Sequence, residues 1–297
     1  MKYNFRITLI KLQKELSLPK FHQKTMNNIL VRTISGAVFI SLILVPLFLV
    51  NPVYAVSILF LFMFLGIVEY GKLFENLNVI AINWKMNTLF SLLISFVFTA
   101  KILGFAPWGL PLSLCIFFIW CSTELWREKT NPLLNIGISI FGFMYICAPL
   151  LIAIDLHLKA DFNFPILAGM FLLIWTNDTF AFLSGKFFGK RKLFERISPK
   201  KTWEGTIGGA IFTVLMAWGI SYLFDNSHQL FWFVGAVFIV PAAIYGDLLE
   251  SLFKRSLGVK DSGKIMPGHG GILDRFDASF FAIPFFYFWY LLYINLF

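Results

Sequence analysis

The sequence predicts an all-α integral membrane protein of about nine transmembrane helices, with its N-terminus in the cytoplasm. Three observations carry that expectation. Hydrophobic residues make up 58% of the 297-residue chain and charged residues only 14%, with a mean hydropathy of +0.77. So much apolar content with so little charge excludes an ordinary soluble domain. Apolar runs of near-spanning length recur at about 33–50, 53–71, 87–104, 108–123, 133–154, 163–185, 205–224, 229–249 and 277–296, where ~20 residues cross the hydrocarbon. With the N-terminus inside and sides alternating, all of the 25 basic residues except Lys101 and Lys159 fall on the cytoplasmic side, as the positive-inside rule requires. Adding or losing one span breaks that pattern.

Residues 1–32 are basic and mixed, with no long apolar core before a cleavage site. They read as a cytosolic segment or a surface-lying helix rather than a cleaved signal peptide. The net charge of +9 is a topology signal with attraction for anionic lipid or phosphate, and nucleic acid is not expected. Five spans fill 33–155, with bland connections and with Trp84, Trp108 and Trp126 near span ends as interfacial anchors. This half is expected to be a scaffold, although a scaffold can also line a substrate path. Cys115, Cys121 and Cys147 all lie in spans, so neither structural disulfides nor a thiolate metal site is indicated. Polar residues concentrate after residue 175, which makes 163–297, with cytosolic loops 186–204 and 250–276, the expected catalytic region.

In the sixth span Asp178 precedes Lys186, which marks the cytosolic end. At about 1.5 Å per residue that places the carboxylate roughly 10 Å below the surface. An intramembrane carboxylate costs at least ~2.5 kcal/mol on insertion scales and normally faces a polar cavity; a helix–helix hydrogen bond through Asn177 and Asp178 is the structural alternative. In the following loop, Ser198-Pro199 reads as a helix start, with Ser as cap and Pro in the first turn. Lys200, Lys201 and the N–H groups of that turn would form an anion site, and Glu204 would pair with Lys200 at i,i+4. Lys190-Arg191-Lys192 reads as topological or lipid-facing, and Gly205 with Gly209 as a small-residue helix-packing pair.

The eighth span ends with Asp247 and Glu250 one turn apart. Such a pair suits Mg²⁺, a hard ion that takes oxygen ligands, while Glu250 could instead pair with Lys254 at i,i+4. Between the last two spans come Lys254, Arg255, Lys260 and Lys264, the turn Pro267-Gly268-His269-Gly270-Gly271, and then Asp274-Arg275 with Asp277. A loop that only joined two helices needs none of this. The glycine-rich turn could form a phosphate nest. Asp274, folded back against Asp247, would make a metal-binding pair, unless Asp274 and Asp277 serve only the dipole of the last helix. His269 would bind phosphate or hydrogen-bond the turn. No G-x-x-x-x-G-K-[ST], H-E-x-x-H or G-x-S-x-G motif is present, which removes the commonest NTPase, zinc-protease and serine-hydrolase readings.

Ser251 to Asp277 resembles the signature of the CDP-diacylglycerol synthases (phosphatidate cytidylyltransferases). The shared features are a Ser, then Lys-Arg, Lys-Asp, Pro-Gly-His-Gly-Gly and a closing Asp-Arg-x-Asp. The stretch from Ser198 to Gly205 and the Asp178-Thr-Phe-Ala-Phe stretch with Gly185 agree, except that Phe182 stands where the family commonly has Tyr. The resemblance implies CTP and phosphatidate as substrates, CDP-diacylglycerol and pyrophosphate as products, and Mg²⁺ with a second cation possible. It further implies an active site on the cytoplasmic side of a bacterial inner membrane, in a protein that is often dimeric. Carried over residue by residue, the metal-binding aspartates fall on Asp247 and Asp274, and the phosphate contacts on Ser198, Lys200, Lys201 and Arg275. Asp178, Glu204, His269 and Asp277 match motif positions of less defined role. Lys201, Asp247, Asp274, Arg275 and Asp178 form the expected catalytic set. Ser198, Lys200, Glu204, Lys254, Arg255, Lys260, Lys264, His269, Gly270, Gly271 and Asp277 form the expected substrate-binding set.

The residues support that chemistry independently. A phosphate monoester is already anionic, so the reaction needs positioning and charge neutralisation more than a general base. Three rivals stand beside it. A CTP-dependent lipid alcohol kinase would release CDP. A cation-coupled transporter would use Asp178 and Asp247 as ion ligands, but no inverted repeat is seen. A lipid phosphatase would need a second histidine in a cytosolic loop.

Overall fold

A computed structural model describes residues 29–75, 80–266 and 270–297, with side chains from residue 33 onward. The segment 1–28, and with it most of the expected basic N-terminal stretch, lies outside the described residues, as does His269. The helices are α1 (Ile29–Leu47), α2 (Val53–Phe74), α3 (Trp84–Ile102), α4 (Gly109–Ser122), α5 (Pro132–Gly142), α6 (Ala148–Lys159), α7 (Ile166–Phe188), α8 (Trp203–Phe224), α9 (Gln229–Ser256) and α10 (Leu273–Leu296). A short antiparallel ribbon, β1 (Lys192–Phe194) and β2 (Ser198–Thr202), joins α7 to α8.

Among the described residues, eight helical stretches are long and apolar enough to cross a membrane, and Thr33–Leu47 is a shorter apolar helix. Together they match the nine expected runs in order. The fold is all-α and that of an integral membrane protein. The fifth expected run is one continuous span, Pro132–Lys159, in which α5 and α6 are joined by a π-helical turn at Phe143–Cys147. Pro149 explains the turn. It has no N–H to donate and its ring crowds the carbonyl of Tyr145, so the ladder widens there.

The bundle is built around α10, which packs on α2, α6, α7 and α9. Its first turn is anchored by an aromatic trio: Phe276 lies 5.6 Å from Phe39 of α1 and 4.9 Å from Phe62 of α2, ring centre to ring centre. All three rings are buried. Edge-to-face and tilted packing of this kind adds about 0.5–1.5 kcal/mol per pair beyond area burial. The α7–α8 pair depends on missing side chains. A Cβ on Gly205 would lie 2.6 Å from the carbonyl oxygen of Ala181 and 3.1 Å from Cα of Gly185, and one on Gly209 would lie 2.8 Å from that of Asn177. The small-residue pair is therefore packing, as expected. Gly246 likewise brings α9 onto α10, where a Cβ would meet the Asp277 carbonyl oxygen at 2.6 Å.

Candidate active site

The loop between α7 and α8 is the first departure from expectation. Ser198-Pro199 does not open a helix; both residues lie in β2, where Lys192 pairs with Thr202 and Phe194 with Ser198. Proline tolerates the edge of a two-stranded ribbon because its missing N–H can face outward. The better cap is Thr202, whose extended backbone lets Oγ1 accept the Gly205 N–H at 3.2 Å. With Lys200 in a strand, its i,i+4 pairing with Glu204 does not form. The Glu204 carboxylate instead accepts the backbone N–H groups of Lys190 at 3.0 Å and Arg191 at 3.1 Å. Trp203 N–H donates to the Arg191 carbonyl at 3.0 Å. Glu204 thus ties the entry of the hairpin to its exit, and the hairpin presents Lys192, Lys200 and Lys201 as a unit.

These lysines form one wall of a cavity of about 800 Å³. Trp175, Asn177, Asp178 and Phe182 of α7 form a second wall, Asp247 of α9 a third, and Asp274, Arg275 and Asp277 of α10 a fourth. Gly36, Phe39 and Ile40 of α1 close the remaining side with an apolar surface. Lys201 Nζ lies 2.5 Å from Asp247 Oδ2, and the Ser251 hydroxyl donates to Asp247 Oδ1 at 3.2 Å. Asp178, Asp247 and Asp277 lie close enough for their charges to act on one another, with Lys201 and Arg275 as the nearby cations. Asp178 is exposed to the cavity rather than packed between helices.

Asp274 has a different environment from Asp247. Its Oδ1 accepts a bond from Lys254 at 2.6 Å, and its Oδ2 accepts the N–H groups of Ser262 at 2.9 Å and Gly271 at 2.8 Å. Lys254 also holds Glu250 at 2.8 Å, so Glu250 takes the i,i+4 pairing that the sequence offered as the alternative to a metal-binding pair with Asp247. Gly270 and Gly271, the described end of the glycine-rich turn, lie against this carboxylate. Gly270 has φ +87°, a left-handed conformation in which a Cβ would collide with Asp274, so glycine is required there. The Gly271 N–H is committed to Asp274 rather than presented as part of an open nest.

Of the expected site residues, Asp178, Lys200, Lys201, Asp247, Asp274, Arg275 and Asp277 share the cavity wall. Lys254, Gly270 and Gly271 stand behind it and shape Asp274. Ser198, Glu204, Arg255, Lys260 and Lys264 are not in the wall; Arg255 donates to the Val259 carbonyl at 3.1 Å.

Two contributions come from the half of the chain expected to be scaffold. One is the α1 surface just described. The other is Glu69 of α2, buried at 5% exposure. It accepts the N–H groups of Ile272 at 2.9 Å and Leu273 at 3.2 Å, and the Ser262 hydroxyl. The signal for Glu69 is the one that marks Asp178, a carboxylate inside an apolar run.

Comparison with known proteins places the chain in a family. A model of the cytidylyltransferase family matches residues 30–293. The chain is 32% identical over 287 residues to the phosphatidate cytidylyltransferase of Haemophilus influenzae, covering 87% of this chain and 97% of that protein. It is 48% identical over 115 residues to the phosphatidate cytidylyltransferase of Staphylococcus aureus, covering 38% of this chain and 44% of that protein. A Staphylococcus epidermidis protein of the same name is 47% identical over 116 residues. With the match spanning almost every described helix and the whole cavity wall, the chain belongs to the cytidylyltransferase family, and so to the nucleotidyltransferase enzymes.

Proposed function

We propose that this chain is a phosphatidate cytidylyltransferase acting at the cytoplasmic face of a bacterial inner membrane. A phosphate oxygen of phosphatidate attacks the α-phosphorus of CTP. The bond from that phosphorus to the β-phosphate oxygen breaks, pyrophosphate leaves, and CDP-diacylglycerol remains. The observation that carries the reading is the two-sided cavity. Its lysines and carboxylates suit a polyphosphate, while Gly36, Phe39 and Ile40 of α1 face it with an apolar surface suited to a lipid. The names of the relatives support the same substrates. The cytoplasmic orientation rests on the distribution of basic residues.

The chain's own groups account for most of the task. Lys200, Lys201 and Arg275 neutralise two polyanions that would otherwise repel and stabilise the departing pyrophosphate. The hairpin and the first turn of α10 bring these cations to one cavity, with Lys201 oriented by Asp247, which supplies orientation. The carboxylates fit Mg²⁺, since their oxygens are hard donors. Asp247 and Asp274 are the proposed ligands. Asp247 is the better presented of the two, because Asp274 is already engaged by Lys254 and two N–H groups; Asp178 and Asp277 share the cavity wall with it. A bound Mg²⁺ would supply further neutralisation of phosphate oxygens.

The test is the soluble product. Purified protein given CTP, phosphatidate and Mg²⁺ should release pyrophosphate in an amount matching lipid consumed, with none formed when phosphatidate is omitted. Release of CDP instead would replace this reading with a kinase.

A further inference from the structure

We infer that Glu69 is a positioning residue for the reaction, holding Ser262, Gly271 and the start of α10 in their working arrangement from the opposite half of the chain. This rests on the function proposed above. Its carboxylate touches three donors at once: the Ser262 hydroxyl and the N–H groups of Ile272 and Leu273 at the start of α10. Those two N–H groups belong to the first turn of a helix, where no intrahelical acceptor exists, and a negative charge there also meets the favourable end of the helix dipole. Two glycines make room for the carboxylate. A Cβ on Gly263 would come within 2.6 Å of Glu69 Oε2, and one on Gly271 would overlap it.

Ser262 is the joint between this carboxylate and the cavity wall. Its hydroxyl goes to Glu69 and its N–H goes to Asp274. Gly271 is placed in the same way, crowded by Glu69 and donating to Asp274. Glu69 is not itself in the cavity wall, so it acts through the segment that carries Asp274, Arg275 and Asp277. A buried carboxylate serving only to join α2 to α10 would not need the hydroxyl of a residue from the preceding loop.

The experiment compares wild type, Glu69→Gln, Ser262→Ala and the double variant, full-length in detergent, with kcat, both KM values and thermal midpoint measured. Loss of a group that orients a functional side chain through its hydrogen bonds typically costs about 10–100-fold. Glu69→Gln should lower the kcat of the folded protein by that order while the KM for phosphatidate stays near wild type; its thermal midpoint should also fall, as expected for a buried carboxylate that loses its charge, so kcat is read per folded molecule. Ser262→Ala should lower kcat less, and the double variant no further than Glu69→Gln alone. A wild-type kcat in Ser262→Ala, or a loss in Glu69→Gln that follows the folded fraction, would overturn the inference. If Glu69→Gln does not fold, the Ser262→Ala kcat decides. A wild-type protein that forms no CDP-diacylglycerol would instead overturn the function on which the inference rests.

Discussion

Lys201 Nζ sits 2.5 Å from Asp247 Oδ2 and joins the hairpin between α7 and α8 to helix α9 across the cavity. The side chains are 25% and 32% exposed, so the pair contributes at most about 1 kcal/mol to stability. Its value lies in placement: a cation and a carboxylate that a polyphosphate and its counterion would separate and share.

Lys201→Ala should therefore act on catalysis and not on folding. We expect kcat to fall about 10²–10³-fold, the usual loss when one preorganised donor is removed. The thermal midpoint in detergent should be unchanged. An equal drop in both would make the pair structural.

Asp247 and Asp274 should separate from each other when each is changed to Asn. Asp247→Asn should keep its thermal midpoint and lose its response to added Mg²⁺ in an activity titration. Asp274→Asn should also lose activity, but it weakens the Lys254 contact, where the two side chains are 13% and 6% exposed. Loss of a charged partner at that depth should lower stability by about 1–3 kcal/mol, visible as a lower midpoint.

The α7–α8 contact predicts a second contrast. Gly205→Ala pushes a Cβ to 2.6 Å from the Ala181 carbonyl oxygen and should destabilise by about 1–3 kcal/mol. It should also disturb the hairpin that leads directly into α8. Gly137→Ala, in α5 with nothing within 4 Å, should be neutral or gain up to about 1 kcal/mol from helix propensity. Paired melts in one detergent check both.

The apolar wall of α1 should govern the lipid and not the nucleotide. Gly36→Leu adds bulk to the cavity wall beside Phe39 and Ile40. The expected result is a rise of about tenfold in the KM for phosphatidate, in line with a misfitted hydrophobic contact, with the KM for CTP unchanged. A matched rise in both would place α1 away from the lipid path.

The spans were legible in the sequence because run length and the distribution of lysine and arginine are properties of the chain alone. So were Asp178 and the Asp274–Asp277 cluster, since intramembrane carboxylates and glycine-rich basic loops need a reason to exist. The hairpin was not. Ser198-Pro199 carries a real helix-start signal, and only the pairing of Lys192 with Thr202 and the grip of Glu204 on Lys190 and Arg191 override it. Lys201 on Asp247 was also hidden, because no helical spacing links residues from a strand and a distant helix. Glu69 obeyed a rule already in use, but Lys72 three residues later lets it pass for an ordinary pair at a span end.

The most direct test of the whole account follows the cytosine ring. Wild type, Asp247→Asn and Lys201→Ala should be incubated with phosphatidate, Mg²⁺ and CTP labelled in that ring, and the lipid phase counted. Label should appear in lipid for wild type, with little or none for either variant. Label that stays wholly aqueous with folded wild-type protein would contradict the proposed transfer.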